Sequence, residues 1–158
     1  MAVSPVLDPE QTLHALEHGW SFYHRYFMRK WARSLVKKQA AWPAVYNFAE
    51  FLHLASLRRM TNEMVRKFTH FASLEEYLNG YAITGERLAN LEVPASLITA
   101  MDDPIIPASG LARIAKPSTL SVTLTRHGGH CGFFDQWSGP SWLERKIVTE
   151  LTASAAVG

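Results

Sequence analysis

The chain has 158 residues, 47% of them hydrophobic, 19% charged and 11% aromatic, with a formal net charge of +2. That length fits one domain able to bury roughly two-thirds of its unfolded surface, the composition argues against a disordered chain, and the small charge implies no polyanion partner, although a pI of about 8.8 allows a local basic patch. The single cysteine, Cys131, excludes an intrachain disulfide, and no run approaches the ~20 apolar residues of a bilayer span.

The opening M-A-V-S-P-V-L-D-P has no basic stretch followed by a long apolar core, so no secretory leader is expected. One unpaired thiol fits a reducing compartment, and a cytoplasmic location is the expectation. Val3 to Leu7 reads as a short strand, broken by Asp8-Pro9. Residues 12–38 predict a long amphipathic helix or helix pair. Leu13, Leu16, Trp20, Tyr23, Phe27, Trp31 and Leu35 recur at three and four, and Gly19 marks a possible break. The other face carries Arg25, Arg29, Lys30, Arg33, Lys37 and Lys38, and reads as a solvated helix face rather than a nucleic-acid or membrane surface. After Pro43, Val45, Phe48, Leu52 and Ala55 predict a second helical segment, and Thr61 to Phe71 a third. Ser73 and Glu76 have capping-box spacing ahead of a helix to about Tyr81.

Past residue 90 the pattern changes. Ala95 to Thr99, between Pro94 and Asp102, reads as a buried strand, and Thr119 to Thr125 as another. Pro107 to Ala115 predicts a helix between them. A last helix is expected after Gly139-Pro140, with Trp142, Leu143, Ile147, Val148 and Leu151 as its apolar stripe and a frayed tail at 153–158. The order β-α-β-α implies a parallel sheet with crossover helices, an α/β fold.

Functional groups in open α/β sheets gather beyond the carboxyl ends of the strands. Asp102 and Asp103 follow the first of these strands, and His130 follows the second among Gly128, Gly129 and Gly132. An imidazole can relay a proton near neutral pH, and a buried carboxylate can fix its tautomer. Alone, Asp-Asp-Pro reads as a turn and His130 as a loop histidine; their order on consecutive strands moves both toward catalysis. His127, His130, Cys131 and the aspartates lack the spacing of a zinc site, so no metal is expected, and His127 reads as a strand-end cap. Cys131 is expected to pack as a small buried group rather than act as a nucleophile. Ser109 and Ser138 have no elbow context and receive no role.

L-E-V-P-A-S-L-I-T-A-M-D-D-P-I-I-P followed by H-G-G-H-C-G-F resembles the C-terminal half of α/β-hydrolases, in particular the YheT-like esterase branch. S-P-V-L-D-P resembles the strand after that branch's nucleophile helix, F-Y-H-R-Y-F its cap, and F-A-S-L-E-E-Y-L the return to the core. The resemblance implies a partial α/β-hydrolase sheet, with residues 1–9 a core strand, 10–85 a helical cap and 86–158 the C-terminal part of the core. It implies ester hydrolysis by a Ser–Asp–His triad in which Asp103 is the acid, with Asp102 the runner-up, and His130 the base. No organic cofactor is implied. The family's G-x-S-x-G elbow does not occur here, so the nucleophile is expected outside this chain and the chain alone is expected to be inactive. Trp20, Tyr23, Phe27 and Trp31 are candidates for an acyl pocket. The competing expectation is a non-enzymatic association module, dimeric or partner-completed through an unpaired strand edge.

Overall fold

Ser4 and Pro5 end the first strand almost where it begins. In the computed structural model, which describes residues 1–155, β1 spans Ala2–Val3. Ser4 turns the backbone to φ +42°, and Pro5 has no N–H to extend a ladder. The strand expected over Val3 to Leu7 is therefore shorter and earlier, and Leu7 reaches the core from a loop.

Asp8 starts α1 (Pro9–His18) by accepting the Gln11 N–H at 3.1 Å, with Pro9 in the first turn. Gly19 and Trp20 separate it from α2 (Ser21–Ala41), so residues 12–38 are a helix pair. Leu13 and Leu35 are buried and Tyr23, Phe27 and Trp31 half-buried, but Trp20 sits at the break and is 76% exposed.

Residues 43–56 form no helix. Gln39 Oε1 takes the Phe48 N–H at 2.6 Å and Asn47 Oδ1 the Ala49 N–H, while Phe51 N and Leu54 N bond carbonyls three residues back. Such side-chain caps and tight turns compete with an α-helix. They bury Phe48 and Phe51 completely and leave Val45 and Leu52 exposed. Ser56 caps α3 (Leu57–Phe68), which begins and ends earlier than the Thr61 to Phe71 expected. Ser73 Oγ accepts the Glu76 N–H at 3.1 Å to start α4 (Leu74–Gly80), and Glu76 reaches back to Ala72 N at 2.7 Å.

β2 (Ala95–Ala100) and β3 (Leu120–Thr125) pair in parallel from Ala95 opposite Leu120 to Ala100 opposite Thr125. β1 lies parallel to β2 on its other side, beside Leu97 and Ile98. The sheet order is β1-β2-β3. The segment between β2 and β3 forms a 3-10 helix at Ala108–Arg113 rather than the α-helix expected from Pro107. α5 (Trp142–Ala155) starts at a reciprocal cap: Ser141 Oγ accepts the Glu144 N–H and Glu144 accepts the Ser141 N–H. The frayed tail expected at 153–158 is helical to Ala155, and residues 156–158 lie outside the described residues.

Alternation along β2 sends side chains to both faces. Leu97 packs with Leu7, Ile105, Ile106 and Leu111, a cluster that Leu16, Tyr23 and Phe27 cover from α1 and α2. Ile98 and Ala100 pack with Phe133, Leu143, Trp142 and Ile147, which brings α5 onto the opposite face. Val148 and Leu151 take no part in this contact and stay exposed, contrary to the expected stripe. Farther from the sheet, Leu13, Leu57 and Leu78 join α1, α3 and α4, and Leu35, Phe48, Phe51 and Met60 form a further cluster. The fold is α/β, a three-stranded parallel sheet with flanking helices. Among the described residues no helix is long and apolar enough to cross a membrane.

Candidate active site

Because β2 and β3 run parallel and in register to their last residues, the loops leaving them emerge side by side. Met101 N still bonds Thr125 O at 2.9 Å. The next two residues on the first loop are Asp102 and Asp103, and the second loop delivers His130.

Asp103 is held from two directions. Its Oδ1 accepts the N–H groups of Ile105 and Ile106 at 2.8 and 2.9 Å, a local turn that the following Ile105 and Ile106 pin into the core. Its Oδ2 lies 3.0 Å from His130 Nδ1. The Asp103 side chain is 0% exposed and that of His130 33% exposed. A carboxylate in this position favours the tautomer whose Nδ1–H donates to Oδ2. That leaves Nε2 as the acceptor, and no hydroxyl or thiol hydrogen-bonds it among the described residues.

The loop carrying His130 is shaped by close packing. A Cβ on Gly128 would fall 2.6 Å from Phe133 Cδ1 and 2.9 Å from Ala100 Cβ, so only glycine lets the loop lie against the end of β2. Gly128 O accepts the N–H groups of Gly132 and Phe133. Phe133, 3% exposed, anchors the far side of the loop in the cluster beneath α5.

Asp102 performs a different task. Its Oδ1 accepts the Gly129 N–H at 2.9 Å, and its Oδ2 lies 3.5 Å from His127 Nδ1. The Gly129 N–H above all, with help from His127, holds the Asp102 carboxyl below its ordinary range against a smaller effect of burial. The structure thus puts Asp103, not Asp102, on His130, and makes Asp102 a tie between the two loops. Sequence reasoning missed that tie; its only trace was a doubled aspartate facing a doubled glycine.

Other expectations change. Cys131 is exposed at φ +66°, not buried, because the turn that places His130 throws the next residue outward. His127 is 84% exposed on its side chain and bonds no strand end among the described residues. Tyr23, Phe27 and Trp31 pack in the core, and Trp20 points away from them. Ser109 faces Gln11. Among the described residues no group of three or more His, Cys, Asp and Glu is arranged to hold a metal ion. A cleft of about 690 Å³ lies elsewhere, beside Asp8, Arg58 and Arg113.

Known proteins resemble this chain. Over 106 residues it is 32% identical to the monoacylglycerol lipase ABHD2 of Danio rerio, a match covering 62% of this chain and 24% of that protein. Over 143 residues it is 26% identical to the putative esterase YheT of Escherichia coli, covering 87% of this chain and 42% of that protein. An abhydrolase domain-containing protein of Dictyostelium discoideum is 34% identical over 74 residues, covering 45% of this chain and 18% of that protein. The chain therefore spans about a quarter of the length of its ABHD2 relatives. No protein-family profile matches it, and no solved structure does. A parallel sheet of this order, together with these relatives, makes the chain a relative of the α/β-hydrolases and YheT-like in its affinities.

Proposed function

We propose that these residues supply the acid and base of a serine hydrolase acting on carboxylic esters, with the serine contributed by polypeptide outside this chain. The observation that carries the reading is the 3.0 Å contact between buried Asp103 and His130, whose side chain is 33% exposed, at the carboxyl ends of neighbouring parallel strands. The esterase and lipase names of the relatives support the substrate class.

The chemistry follows from the tautomer. His130 Nε2 takes the proton of the incoming serine hydroxyl as its oxygen attacks the ester carbonyl. Asp103 stabilises the resulting imidazolium without itself taking the proton. The imidazolium then gives that proton to the departing alkoxide, leaving an acyl-serine. Water, deprotonated by the same nitrogen, releases the acid and restores the serine. In this reading residues 10–85 form a cap beside the core, and the substrate is a small-molecule ester.

The test has two arms. The isolated chain should hydrolyse a short-chain nitrophenyl ester no faster than background, since losing the nucleophile costs about 10⁶ in turnover in the subtilisin case. The chain fused behind the N-terminal portion of the E. coli relative, which by the resemblance would carry the serine elbow, should hydrolyse it, and His130→Ala should abolish the activity. Turnover by the fusion that survives His130→Ala would overturn the assignment. Turnover by the isolated chain that His130→Ala removes would place the nucleophile inside it.

A second reading is association without catalysis. It rests on β1, which pairs with β2 on one side only among the described residues. An open edge is a template for another strand. Size that rises with concentration in gel filtration supports it, and a constant monomer rejects it.

A further inference from the structure

α2 concentrates positive charge that the rest of the chain lacks. It holds six of the sixteen Lys and Arg residues and none of the fourteen Asp and Glu residues, so the remainder of the molecule is net acidic. All six, Arg25, Arg29, Lys30, Arg33, Lys37 and Lys38, are exposed. None has an ion-pair partner among the described residues, although seven pairs of Lys or Arg with carboxylates form there. Lys30 Nζ lies 5.4 Å from the centre of the Tyr26 ring and Lys38 Nζ 4.3 Å from that of Tyr46, and Arg25, Arg29, Arg33 and Lys37 have no such ring among the described residues; like charges on one helix repel each other and cost stability unless an anionic surface meets them.

The same face carries large apolar groups. Phe22 is 63% exposed, Val36 51% and Tyr26 46%. Phe22, Tyr26, Arg29, Arg33 and Lys37 follow one another at three and four, which puts them on one arc of the helix. The Phe22 and Tyr26 rings stack at 6.4 Å, and Arg25 and Arg29 join them around a shallow groove of about 270 Å³. The opposite arc, with Tyr23, Phe27, Trp31 and Leu35, is committed to the core. Helix α2 thus has two apolar faces, and the outer one is edged with arginine and lysine.

We infer that the outer face of α2 is a docking surface for an anionic phospholipid membrane. Aromatic rings beside cations on an exposed helix face match the headgroup layer: the rings settle at the level of the acyl boundary, and the cations meet lipid phosphates and carboxylates. A single-stranded nucleic acid would need a groove to follow, with free aromatic faces inside it. Here the groove is short, lined by Phe22, Arg25, Tyr26 and Arg29, and Phe22 and Tyr26 cover part of each other. The inference is independent of the proposed ester chemistry and stands or falls without it.

Co-sedimentation of the full chain with vesicles tests it. The chain should pellet with vesicles of phosphatidylcholine mixed with phosphatidylserine and remain in solution with phosphatidylcholine alone, and high salt should release it. Arg29→Glu with Arg33→Glu should lower the partition coefficient at least tenfold, as about 1 kcal/mol per basic residue requires. Phe22→Ser with Tyr26→Ser should lower it several-fold at every salt concentration. These side chains lie on the surface, so circular dichroism should show unchanged helix content; if the arginine pair unfolds the chain, Lys30→Glu with Lys37→Glu is read in its place. Equal binding to neutral vesicles, binding undiminished by charge reversal, or single-stranded oligonucleotide displacing the chain from vesicles would each overturn the inference.

Discussion

Asp102 accepts the backbone N–H of Gly129 at 2.9 Å, and this one bond joins the loop after β2 to the loop after β3 immediately ahead of His130. Asp103, its neighbour in sequence, grips the His130 ring instead. The two adjacent carboxylates therefore fix the histidine twice, once by its backbone and once by its side chain. Gly129 lies at φ +53°, where L side chains are strained, so the N–H that Asp102 receives is presented by a residue suited to that turn.

Asp102→Ala should free the His130 loop without unfolding the chain. Its carboxylate is exposed, so global stability should change little, whereas the Gly129 amide loses its acceptor. Hydrogen exchange at that amide should quicken by about tenfold, the loss of one ordinary hydrogen bond. Asp102→Asn keeps an oxygen in place and should stay close to the parent. Equal protection of Gly129 in all three proteins would show that the bond does not hold the loop.

Replacing Asp103 separates stability from chemistry. Asp103→Ala strips the acceptor from two buried N–H groups, those of Ile105 and Ile106, and should cost about 2–4 kcal/mol in urea unfolding. Asp103→Asn can keep one oxygen on those N–H groups, and should therefore fold nearly as well. Its amide can no longer hold the His130 tautomer by charge. In a form of the protein completed with a serine, turnover should fall by about 10⁴, the loss seen when a triad aspartate becomes asparagine.

The strands beneath this site were legible because both are short apolar or β-branched runs with hard stops. Asp102 follows one and the glycines the other, and parallel pairing then fixes where Asp103 and His130 meet. Residues 43–56 were illegible for the opposite reason. Val45, Phe48, Leu52 and Ala55 have helical spacing, but Gln39 and Asn47 take N–H groups that a helix would use. Phe48 and Phe51, three apart, are buried, and Leu52 turns outward. Cys131 illustrates a further limit, since a positive φ depends on where its neighbour must go and not on its own chemistry. Trp20 failed the periodic pattern because it stands between two helices, where the period restarts.

Gly128→Ala tests the packing of the histidine loop directly. The added methyl would meet the Phe133 ring at 2.6 Å and Ala100 at 2.9 Å, so the ring or the strand end must move. The expected loss is about 1–3 kcal/mol, as for an overpacked core. Gly128→Ala combined with Phe133→Leu removes part of the ring and should recover some of that loss. A Gly128→Ala protein as stable as the parent would mean that the loop does not rest on β2 as described.

Glu17 gives the acid limb of the stability curve a specific contributor. Burial alone would raise its carboxyl, but the Ser56 hydroxyl at 2.6 Å, the Arg58 N–H at 3.0 Å and the Arg58 guanidinium outweigh it and leave the group below its ordinary value. A folded-state value below the unfolded one means that the unfolded chain binds more protons in acid, so stability rises with pH across that window. The contribution is complete above the ordinary carboxylate range and is lost as pH falls through the lowered value. Glu17→Gln keeps an oxygen for Ser56 and Arg58 but has nothing to protonate. Urea midpoints measured from neutral to acid pH should therefore converge: the parent should be the more stable at neutral pH, and the gap to Glu17→Gln should close on acidification. Asp102, Asp135, Glu144 and Glu150 are also lowered, and they act equally in both proteins, so the difference between the two curves isolates Glu17. A gap that stays constant with pH would show that the link from α1 to the start of α3 does not depend on the charge.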